Sequence, residues 1–444
     1  MSEKLALLGG QPVVPKGLAV RWPVITAEDK QAVMEVLDRG ILWGPYAPAV
    51  KSFETEWAGY LGCKYALMTN SGTAALHMAV AASGVGPGDE VITTAYTFLA
   101  SALAVLHNHA IPVFADIDPR TYNIDPAQIE AKITKRTRAI LPVHIHGLPC
   151  DMDAINDLAR RHNLIVIEDA AQAHGATYKG KKAGNLGHLG CFSVQASKNL
   201  PAGEGGILCT NDTQLRHTAN MVRMFGESIH DDTECKMDPS HPLEDPPGRE
   251  YNAYIMGWMY RSTEMTAALA RSQLQRLDAN NANSIRNGQF LTRHLAELPG
   301  VTPPYVPSDR TSVYHKYRVR LDPKAWNLDC PPRKFRDAVL KALSAEGVET
   351  ATWQNYPLPG QALFQSRKGF GLGAPWTCHY DGDVSYDVGQ FPQTQRLLED
   401  SLIVGAESYP LFPQPLALME HYIEAFRKVF ANRENLVAVL EAVK

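Results

Sequence analysis

The feature of this chain that most restricts its fold is the alternation of short apolar runs with helical patterns after residue 65. We predict strands over residues 65–69, 90–94, 111–116, 138–144, 163–168, 190–194 and 206–210. Helices are predicted between several of these strands, over residues 72–83, 98–107 and 152–162. Such alternation implies an α/β fold with a mostly parallel sheet and helices on both faces. Ligands on sheets of this kind bind beyond the carboxyl ends of the strands.

The length of 444 residues predicts two domains preceded by an N-terminal segment. Residues 1–25 are expected to form an extended arm, 26–280 a large domain, and 281–444 a smaller C-terminal domain. Thr26 and Asp29 have the spacing of a capping box, which predicts a helix start near residue 26. Further helices are expected over 49–61, 265–280 and 422–443, and a strand over 315–321.

Two long segments interrupt the regular pattern. Residues 227–250 are acidic and rich in proline, and residues 355–390 are rich in glycine, proline and aromatic side chains. Long loops in compact domains are often lids or binding loops. A disordered surface insertion is the alternative for each segment, and composition does not separate the two.

Composition excludes several classes of protein. Apolar residues make up 45% of the chain and the net charge is −4, so nothing suggests a partner that is a nucleic acid or an anionic membrane. The seven cysteines are dispersed without a Cys-x-x-Cys pair, which is typical of reduced thiols. The first residues lack the apolar core of a signal peptide, and no run of eighteen apolar residues occurs. We therefore expect a cytoplasmic protein.

Two charged residues in unusual settings point to a cofactor. Asp169 ends the apolar run 165–167, and Lys198 lies among small and hydroxyl residues five positions after Ser193. Pyridoxal phosphate requires an amine for its aldehyde, a carboxylate that keeps its ring nitrogen protonated, and donors for its phosphate. Taken singly, Lys198 is better explained as an ordinary surface lysine, and Asp169 as a cap for the next turn. Together they predict a pyridoxal phosphate site.

Other residues fit the remaining needs of this cofactor. Gly72 and Thr73 begin a predicted helix whose free N–H groups suit a phosphate, although Ser-Gly-Thr is also a plain helix cap. Ser193 is a second hydroxyl for the phosphate. Gln172 is placed to contact the ring or its hydroxyl, and Tyr96 is either the aromatic that stacks on the ring or a core residue.

These motifs together resemble those of the DegT/DnrJ/EryC1/StrS family of sugar and cyclitol aminotransferases, from about residue 22 to the C-terminal helices. The shared motifs are Gly44-Pro45, Phe53-Glu54, residues 71–76, 87–91, 96–98, 168–175, Phe192-Ser193 with Lys198, and 203–206. The residues that precede Lys198 and the Gly-Glu-Gly-Gly run are more similar to the cyclitol and aminohydroxybenzoate branch than to the nucleotide-sugar branch.

The resemblance implies a fold-type I pyridoxal phosphate enzyme and assigns roles to the residues above. Lys198 matches the Schiff-base lysine and Asp169 the partner of the ring nitrogen. Gln172 matches the ring contact, Tyr96 the stacking aromatic, and Gly72, Thr73 and Ser193 the phosphate ligands. Arg261 and His315 match polar positions near the substrate, although Arg261 is also compatible with a structural ion pair. Retention of lysine at 198 favours amino transfer over sugar dehydration.

One position departs from the family pattern. The family often has Gly-x-Asn-Tyr-Arg, whose asparagine reaches the phosphate in the neighbouring subunit. This chain has Met259 there, and methionine cannot donate a hydrogen bond. Either another donor such as Asn252 replaces it or the phosphate is held less tightly.

Three histidines raise the question of a metal. His144 and His146 lie two apart at a predicted strand end, and His174 follows in the chain. Because no cysteine or carboxylate has metal-ligand spacing relative to them, we interpret them as structural and expect no metal.

The predicted function is transfer of an amino group from glutamate or glutamine to a keto sugar or keto cyclitol. The resemblance implies a homodimer with shared active sites. Two alternatives remain: a pyridoxal phosphate enzyme of other chemistry, such as elimination or decarboxylation, and a regulator that binds the cofactor without turnover.

Overall fold

A computed structural model of the chain describes residues 3–43, 47–229, 249–432 and 436. Its strands are β1 (Tyr65–Thr69), β2 (Glu90–Thr94), β3 (Ile111–Ala115), β4 (Thr137–Leu141), β5 (Ile165–Asp169), β6 (Thr177–Tyr178), β7 (Lys181–Lys182), β8 (Leu189–Ser193), β9 (Gly206–Thr210), β10 (Glu227–Ile229), β11 (Arg249–Ala253), β12 (Val301–Thr302), β13 (Tyr317–Leu321), β14 (Thr350–Ala351) and β15 (Ser401–Val404). Its α-helices are α1 (Ala27–Arg39), α2 (Pro48–Leu61), α3 (Gly72–Ala82), α4 (Ala100–His107), α5 (Pro126–Glu130), α6 (Met152–His162), α7 (Thr213–Arg223), α8 (Glu264–Leu274), α9 (Leu277–Leu295), α10 (Pro332–Ala345), α11 (Ala362–Ser366), α12 (Pro392–Asp400) and α13 (Leu416–Ala431).

The central element is a seven-stranded sheet in the order β1-β9-β8-β5-β4-β2-β3. Neighbours from β8 to β3 are parallel, whereas β9 is antiparallel to both β1 and β8. The strands are almost wholly buried, as expected for a sheet covered on both faces. Because β1, β2, β4, β5 and β8 run in one direction, their carboxyl ends lie at the same edge.

The predicted helix start at residue 26 is confirmed in detail. Thr26 caps α1, its hydroxyl accepts the N–H of Asp29, and the Asp29 carboxylate accepts the N–H of Thr26 at 2.8 Å. Gly40 ends the helix in the left-handed conformation. Both ends of α1 therefore follow from local sequence.

The single helix predicted over 265–280 is wrong, because the chain bends between α8 and α9. Arg276 lies at the bend and donates to Oδ2 of Asp29 at 2.7 Å. This contact with α1 holds the bend in place. No glycine or proline near residue 276 indicates the bend in the sequence.

A second sheet of four antiparallel strands, in the order β12-β13-β15-β14, lies in the C-terminal part. It has its own core with α9, α10 and α13, and this core also includes Leu5 and Val14 from the N-terminal segment. Helix α9 spans both cores, since Leu277 packs with the large sheet and Leu295 with the small one. The expected boundary between 280 and 281 falls inside this helix, and the division into domains stays a prediction.

The sequence places the irregular segment 355–390 in the C-terminal domain, but its apolar side chains pack on the large sheet. Phe364 and Tyr386 are buried against Phe114 of β3, at ring distances of 5.0 and 5.7 Å. The alternative of a disordered insertion is therefore wrong for this segment. The other segment, 227–250, contributes the paired strands β10 and β11, and its residues 230–248 lie outside the described part.

The predicted C-terminal helix over 422–443 begins earlier, as α13, and its last residues lie beyond the described chain except for Leu436. Among the helices that the structure describes, none is both long and apolar enough to cross a membrane.

Candidate functional site

A cavity of about 380 Å³ lies at the carboxyl edge of the large sheet. The ends of β5 and β8, the start of α3 and the turn that holds Lys198 form one side of it. Residues that precede β13 and follow β15 form the opposite side. The structure thus brings to one place seven predicted site residues: Gly72, Thr73, Asp169, Gln172, Ser193, Lys198 and His315.

Asp169 is a buried carboxylate whose orientation is fixed on both oxygens. Oδ2 accepts the hydroxyl of Ser101 at 2.7 Å, and Oδ1 accepts the N–H of Ala171 at 3.1 Å. Burial raises the pKa of Asp169, although these two hydrogen bonds and the nearby Lys198 act against the rise. The carboxylate therefore lies in a setting that favours a cationic ligand.

Lys198 follows β8 in a turn whose backbone is tied at both ends. Its N–H donates to the carbonyl of Gln195 at 2.8 Å, and its carbonyl accepts the indole N–H of Trp22 at 3.1 Å. Burial, followed by repulsion from Lys316, lowers the pKa of the Lys198 amine to about 8. A larger fraction of this amine is therefore neutral and nucleophilic near neutral pH than for an ordinary lysine.

The start of α3 forms the third part of the site. Ser71 caps the helix by accepting the N–H of Ala74 at 3.0 Å, which leaves Gly72 and Thr73 in the first turn at the cavity wall. A Cβ on Gly72 would lie 2.7 Å from the Cβ of Ser193, so only glycine permits this approach of α3 to β8. The helix start and the Ser193 hydroxyl thus lie side by side, an arrangement suited to an anion.

Gln172 is held in place by the backbone of a neighbouring loop. Its Oε1 accepts the N–H of His146 at 2.8 Å, and the residue is almost fully buried at the cavity wall. This contact determines which end of the amide faces the cavity.

The prediction that Tyr96 provides the stacking ring is wrong. Tyr96 is fully buried outside the cavity, packs against Trp353 and shares a 2.8 Å hydrogen bond between its hydroxyl and Nε2 of His146. The aromatic residue that lines the cavity from this loop is Phe98, which is 61% exposed. The physical reason is that the chain turns after β2, so that the alternation of the strand no longer sets the direction of these side chains.

Two other positions lie away from the cavity within this chain. Arg261 pairs through its backbone with Thr69, and its guanidinium lies 4.6 Å from the ring of Trp43. Met259 is about half exposed, and its carbonyl accepts the side chain of Asn70 at 3.4 Å. Asn252, the alternative donor named above, lies in β11. Their predicted roles toward substrate and phosphate stay predictions.

The site also contains residues that the sequence interpretation missed. Ser101, Phe98, Lys316, Trp353 and Glu407 contact Asp169 or line the cavity. Next to them His315 is buried with an unpartnered Nδ1, and burial together with nearby cations holds its pKa well below the usual value. Phe98 lies within the recognised motif 96–98 and Ser101 follows it, whereas Trp353 and Glu407 come from distant segments without a local signal.

The three histidines considered as metal ligands have separate partners. His144 bonds Glu168 at 2.8 Å, His146 bonds Tyr96, and His174 packs between Trp57 and Phe192. Within the described ranges no group of three or more potential ligand side chains is arranged around a common point.

Comparison with known proteins identifies relatives of the chain. Residues 23–382 match the DegT/DnrJ/EryC1/StrS aminotransferase family. GDP-perosamine synthase of Caulobacter vibrioides is 40% identical over 75% of this chain and 83% of its own. A putative L-glutamine:3-amino-2,3-dideoxy-scyllo-inosose aminotransferase of Streptoalloteichus tenebrarius is 38% identical over 98% of this chain and 100% of its own. A pleiotropic regulatory protein of Geobacillus stearothermophilus is 36% identical over 89% of this chain and 93% of its own.

The fold is shared with solved structures as well. The aminotransferase from Psychrobacter cryohalolentis superposes with a TM-score of 0.77 at 32% identity, over 94% of this chain and all of that one. The α/β, fold-type I class predicted from the sequence is confirmed by these matches and by the mostly parallel central sheet.

Proposed function

Because the chain belongs to the DegT/DnrJ/EryC1/StrS aminotransferase family, we propose that it is a pyridoxal phosphate enzyme that transfers an amino group from glutamate or glutamine to a keto sugar or keto cyclitol. The observation that supports this most directly is the meeting of Lys198, Asp169 and the start of α3 around one cavity. An amine, a carboxylate and an anion site in one cavity are the groups this cofactor needs.

The residues present fit pyridoxal phosphate. Asp169 is a buried carboxylate with a raised pKa and without a cationic hydrogen-bond partner in the described structure, which suits a protonated ring nitrogen. The space that a Cβ on Gly72 would fill lies against Ser193, where the phosphate would meet both backbone and hydroxyl donors. Phe98 is the aromatic side chain available to cover the ring.

When bound, pyridoxal phosphate supplies an electron sink that stabilises negative charge on the carbon attached to the reacting nitrogen. Asp169 would keep a proton on the ring nitrogen, and Ser101 orients the carboxylate for that contact. Lys198 would hold the cofactor through its neutral amine. Its Nζ, when free, would remove the proton from the donor Cα as a general base and return a proton as a general acid.

The choice of substrates in this proposal is supported by the full-length relative named as an L-glutamine:inosose-type aminotransferase and by the perosamine synthase. The residues around Lys198 favour the cyclitol branch, which agrees with the inosose-type relative and differs from the perosamine synthase. The proposal therefore extends to acceptors that are polyhydroxylated ketones.

We also propose that the protein is a homodimer with each site completed by the partner subunit. Ile41, Leu42 and Trp43 are each more than 40% exposed, and Met256 is 82% exposed. Leu42 and Trp43 lie next to the segment that holds Arg261, since the Leu42 carbonyl accepts the N–H of Glu264. Exposed apolar groups of this kind are typical of subunit interfaces. A cytoplasmic location is part of the proposal and is supported by six described cysteines that are free.

The experiment that tests the proposal is a single turnover of the cofactor-loaded protein with glutamine or glutamate. We expect conversion of bound pyridoxal phosphate to its amino form together with one equivalent of keto acid. Release of carbon dioxide, or of ammonia with the cofactor left in its aldehyde form, would favour the other enzyme chemistries. A lack of any conversion would favour the regulator, an alternative that the pleiotropic regulatory relative keeps relevant.

The position of the covalent link is tested separately. Borohydride treatment followed by peptide mass analysis should find the cofactor on Lys198, and Lys198→Ala should fold and carry no link. A link on another lysine would contradict the assignment.

A further inference from the structure

Lys316 is a second buried ammonium in the same cavity, on the wall opposite the sheet. Only 9% of the residue is exposed, and it comes immediately before β13. Its Nζ lies 3.3 Å from Oε1 of Glu407 and 5.7 Å from the centre of the Trp353 ring. All three residues line the cavity that contains Lys198.

A buried cation has to be stabilised by a partner, and Glu407 does this only in part. The Glu407 side chain is 64% exposed, so the pair lies between the mouth and the interior of the cavity. A lysine ammonium has three N–H donors, and the bond to Glu407 uses one of them. Lys316 therefore retains donors for an anion that enters the cavity.

Among the described residues that line this cavity, Lys198 and Lys316 are the only lysine or arginine side chains. His315, the histidine beside them, has a pKa well below its ordinary value because of burial and the neighbouring lysines, so it remains neutral. In the proposed reaction Lys198 holds the cofactor or moves the Cα proton, so it does not serve to bind a carboxylate. Lys316 is thus the remaining lysine or arginine that the described part of this chain places in the cavity for a negatively charged substrate group.

The chemistry of the two substrates decides which of them needs that cation. An amino acid donor carries its α-carboxylate on the same carbon as the reacting amine, so the carboxylate has to lie near Lys198. Lys316 lines the same cavity as Lys198, and its charge contributes, after burial, to the lowered pKa of that amine. The keto carbon of a sugar or cyclitol acceptor carries no carboxylate, so the acceptor has no anionic group on its reacting carbon that requires an ammonium there.

We propose that Lys316 binds the α-carboxylate of the amino donor and that Glu407 and Trp353 position its ammonium for this contact. The inference rests on the proposed aminotransferase function and adds a specificity-determining residue to it. Charge-assisted hydrogen bonds are the stronger class, and loss of one here should weaken donor binding roughly 10- to 100-fold.

The test uses the cofactor-loaded enzyme and a probe that cannot react. Glutaramate is glutamine without its α-amino group, and glutaramide is the corresponding neutral diamide. Titration of each is followed by the change in cofactor absorbance. In Lys316→Gln we expect roughly 10- to 100-fold weaker glutaramate binding and unchanged glutaramide binding. Lys316→Arg, which keeps the cation, should retain most of the affinity.

Lys341→Gln is the matched control, because it removes an exposed lysine on α10 outside the cavity. It should leave both affinities unchanged. Thermal unfolding of each variant identifies a folding defect, and if Lys316→Gln fails to fold, Lys316→Met supplies the same comparison.

Kinetics give a second readout. Lys316→Gln should raise KM for glutamine or glutamate and leave KM for the keto acceptor unchanged. Unchanged glutaramate affinity, or equal losses for glutaramate and glutaramide, would overturn the inference while leaving the proposed function intact. Failure of the wild-type enzyme to convert its cofactor with any amino donor would instead refute the proposed function itself.

Discussion

The hydroxyl of Ser101 donates a 2.7 Å hydrogen bond to Oδ2 of Asp169, from a helix on the neighbouring part of the sheet edge. Ser101 is itself fully buried and lies 3.0 Å from the hydroxyl of Thr97. With the N–H of Ala171 on the other oxygen, the carboxylate has one orientation before any ligand arrives. A buried carboxylate without a cationic partner is energetically unfavourable. The two hydrogen bonds to Asp169 offset part of that cost.

Ser101→Ala should weaken the cofactor site without removing any group that touches the reacting atoms. The hydrogen bond from Ser101 stabilises the charged form of Asp169. Without it the pKa of Asp169 should rise further and the carboxylate should be held less firmly in one orientation. A hydrogen bond to a charged group is worth about 1.5–3 kcal/mol, which predicts a cofactor dissociation constant about tenfold or more higher. Spectroscopic titration of the apo enzyme with pyridoxal phosphate measures it.

Ser83→Ala is the control for that change. The Ser83 hydroxyl donates to the carbonyl of Ala79 at 2.7 Å, at the far end of α3 from the cavity. Its removal should leave cofactor affinity within experimental error. Equal affinities for Ser101→Ala and the wild type would show that Asp169 is oriented by other contacts.

Uptake of the cofactor by the apo enzyme should depend on pH through Lys198. The pKa of this amine is lowered to about 8, so half of it is neutral and nucleophilic at pH about 8, and this fraction levels off about one unit higher. An unperturbed lysine would still gain reactivity up to about pH 10. Stopped-flow absorbance at a series of pH values gives the inflection.

The same measurement on Lys316→Gln separates the two causes of the shift. Removal of the neighbouring cation raises the pKa of Lys198, so the inflection should move to higher pH. Lys341→Gln, which lies on the surface of α10, should not move it. An inflection that is the same in all three proteins would contradict the repulsion between the two lysines.

Much of the site was predictable because its residues follow from local sequence and from one rule of topology. Asp169, Ser193 and the α3 start each lie at the carboxyl end of a strand or directly after it. Parallel strands bring such ends to one edge, so three separate motifs predicted one site. The strands and caps that hold them depend on apolar runs and on residues such as Thr26, whose effects are local.

The rest depended on contacts between distant segments. Lys316 and Glu407 are 91 positions apart and meet only because β13 pairs with β15. The bend before α9 depends on the contact of Arg276 with Asp29, 247 positions away. No periodicity or spacing in the sequence predicts these contacts, because they form only when distant parts of the chain pack together.

Within the motif 96–98, the sequence did not show which aromatic side chain faces the cavity. The structure places Phe98 there and Tyr96 in the core, and this difference can be tested. Phe98→Ala should weaken cofactor binding roughly 2- to 10-fold, in line with the about 0.5–1.5 kcal/mol of an aromatic contact, and leave stability nearly unchanged because its side chain is exposed. Tyr96→Phe should leave cofactor affinity unchanged and cost about 1 kcal/mol of stability through loss of the bond to His146. Absorbance titration and thermal unfolding distinguish the two. The reverse pattern would restore Tyr96 as the stacking ring.

Two glycine-to-alanine changes are expected to have opposite effects on stability. In Gly72→Ala the new Cβ would lie 2.7 Å from Cβ and 3.1 Å from Cα of Ser193, so α3 or β8 has to shift. Overpacking of this kind costs about 1–3 kcal/mol. Because the shift separates the helix start from Ser193, cofactor affinity should fall as well. Thermal unfolding measures the change in stability. Spectroscopic titration of the apo enzyme with pyridoxal phosphate measures the change in cofactor affinity.

Gly59→Ala is the matched substitution on a helix that does not contact the cavity. Gly59 lies in α2, is exposed, and has nothing within 4 Å of the position of a new Cβ. Alanine lowers the backbone entropy of the unfolded chain and is the better helix former, so stability should increase by about 0.5–1 kcal/mol with cofactor affinity unchanged. If Gly72→Ala behaved like Gly59→Ala, the close approach of α3 to Ser193 would not be a requirement of the site.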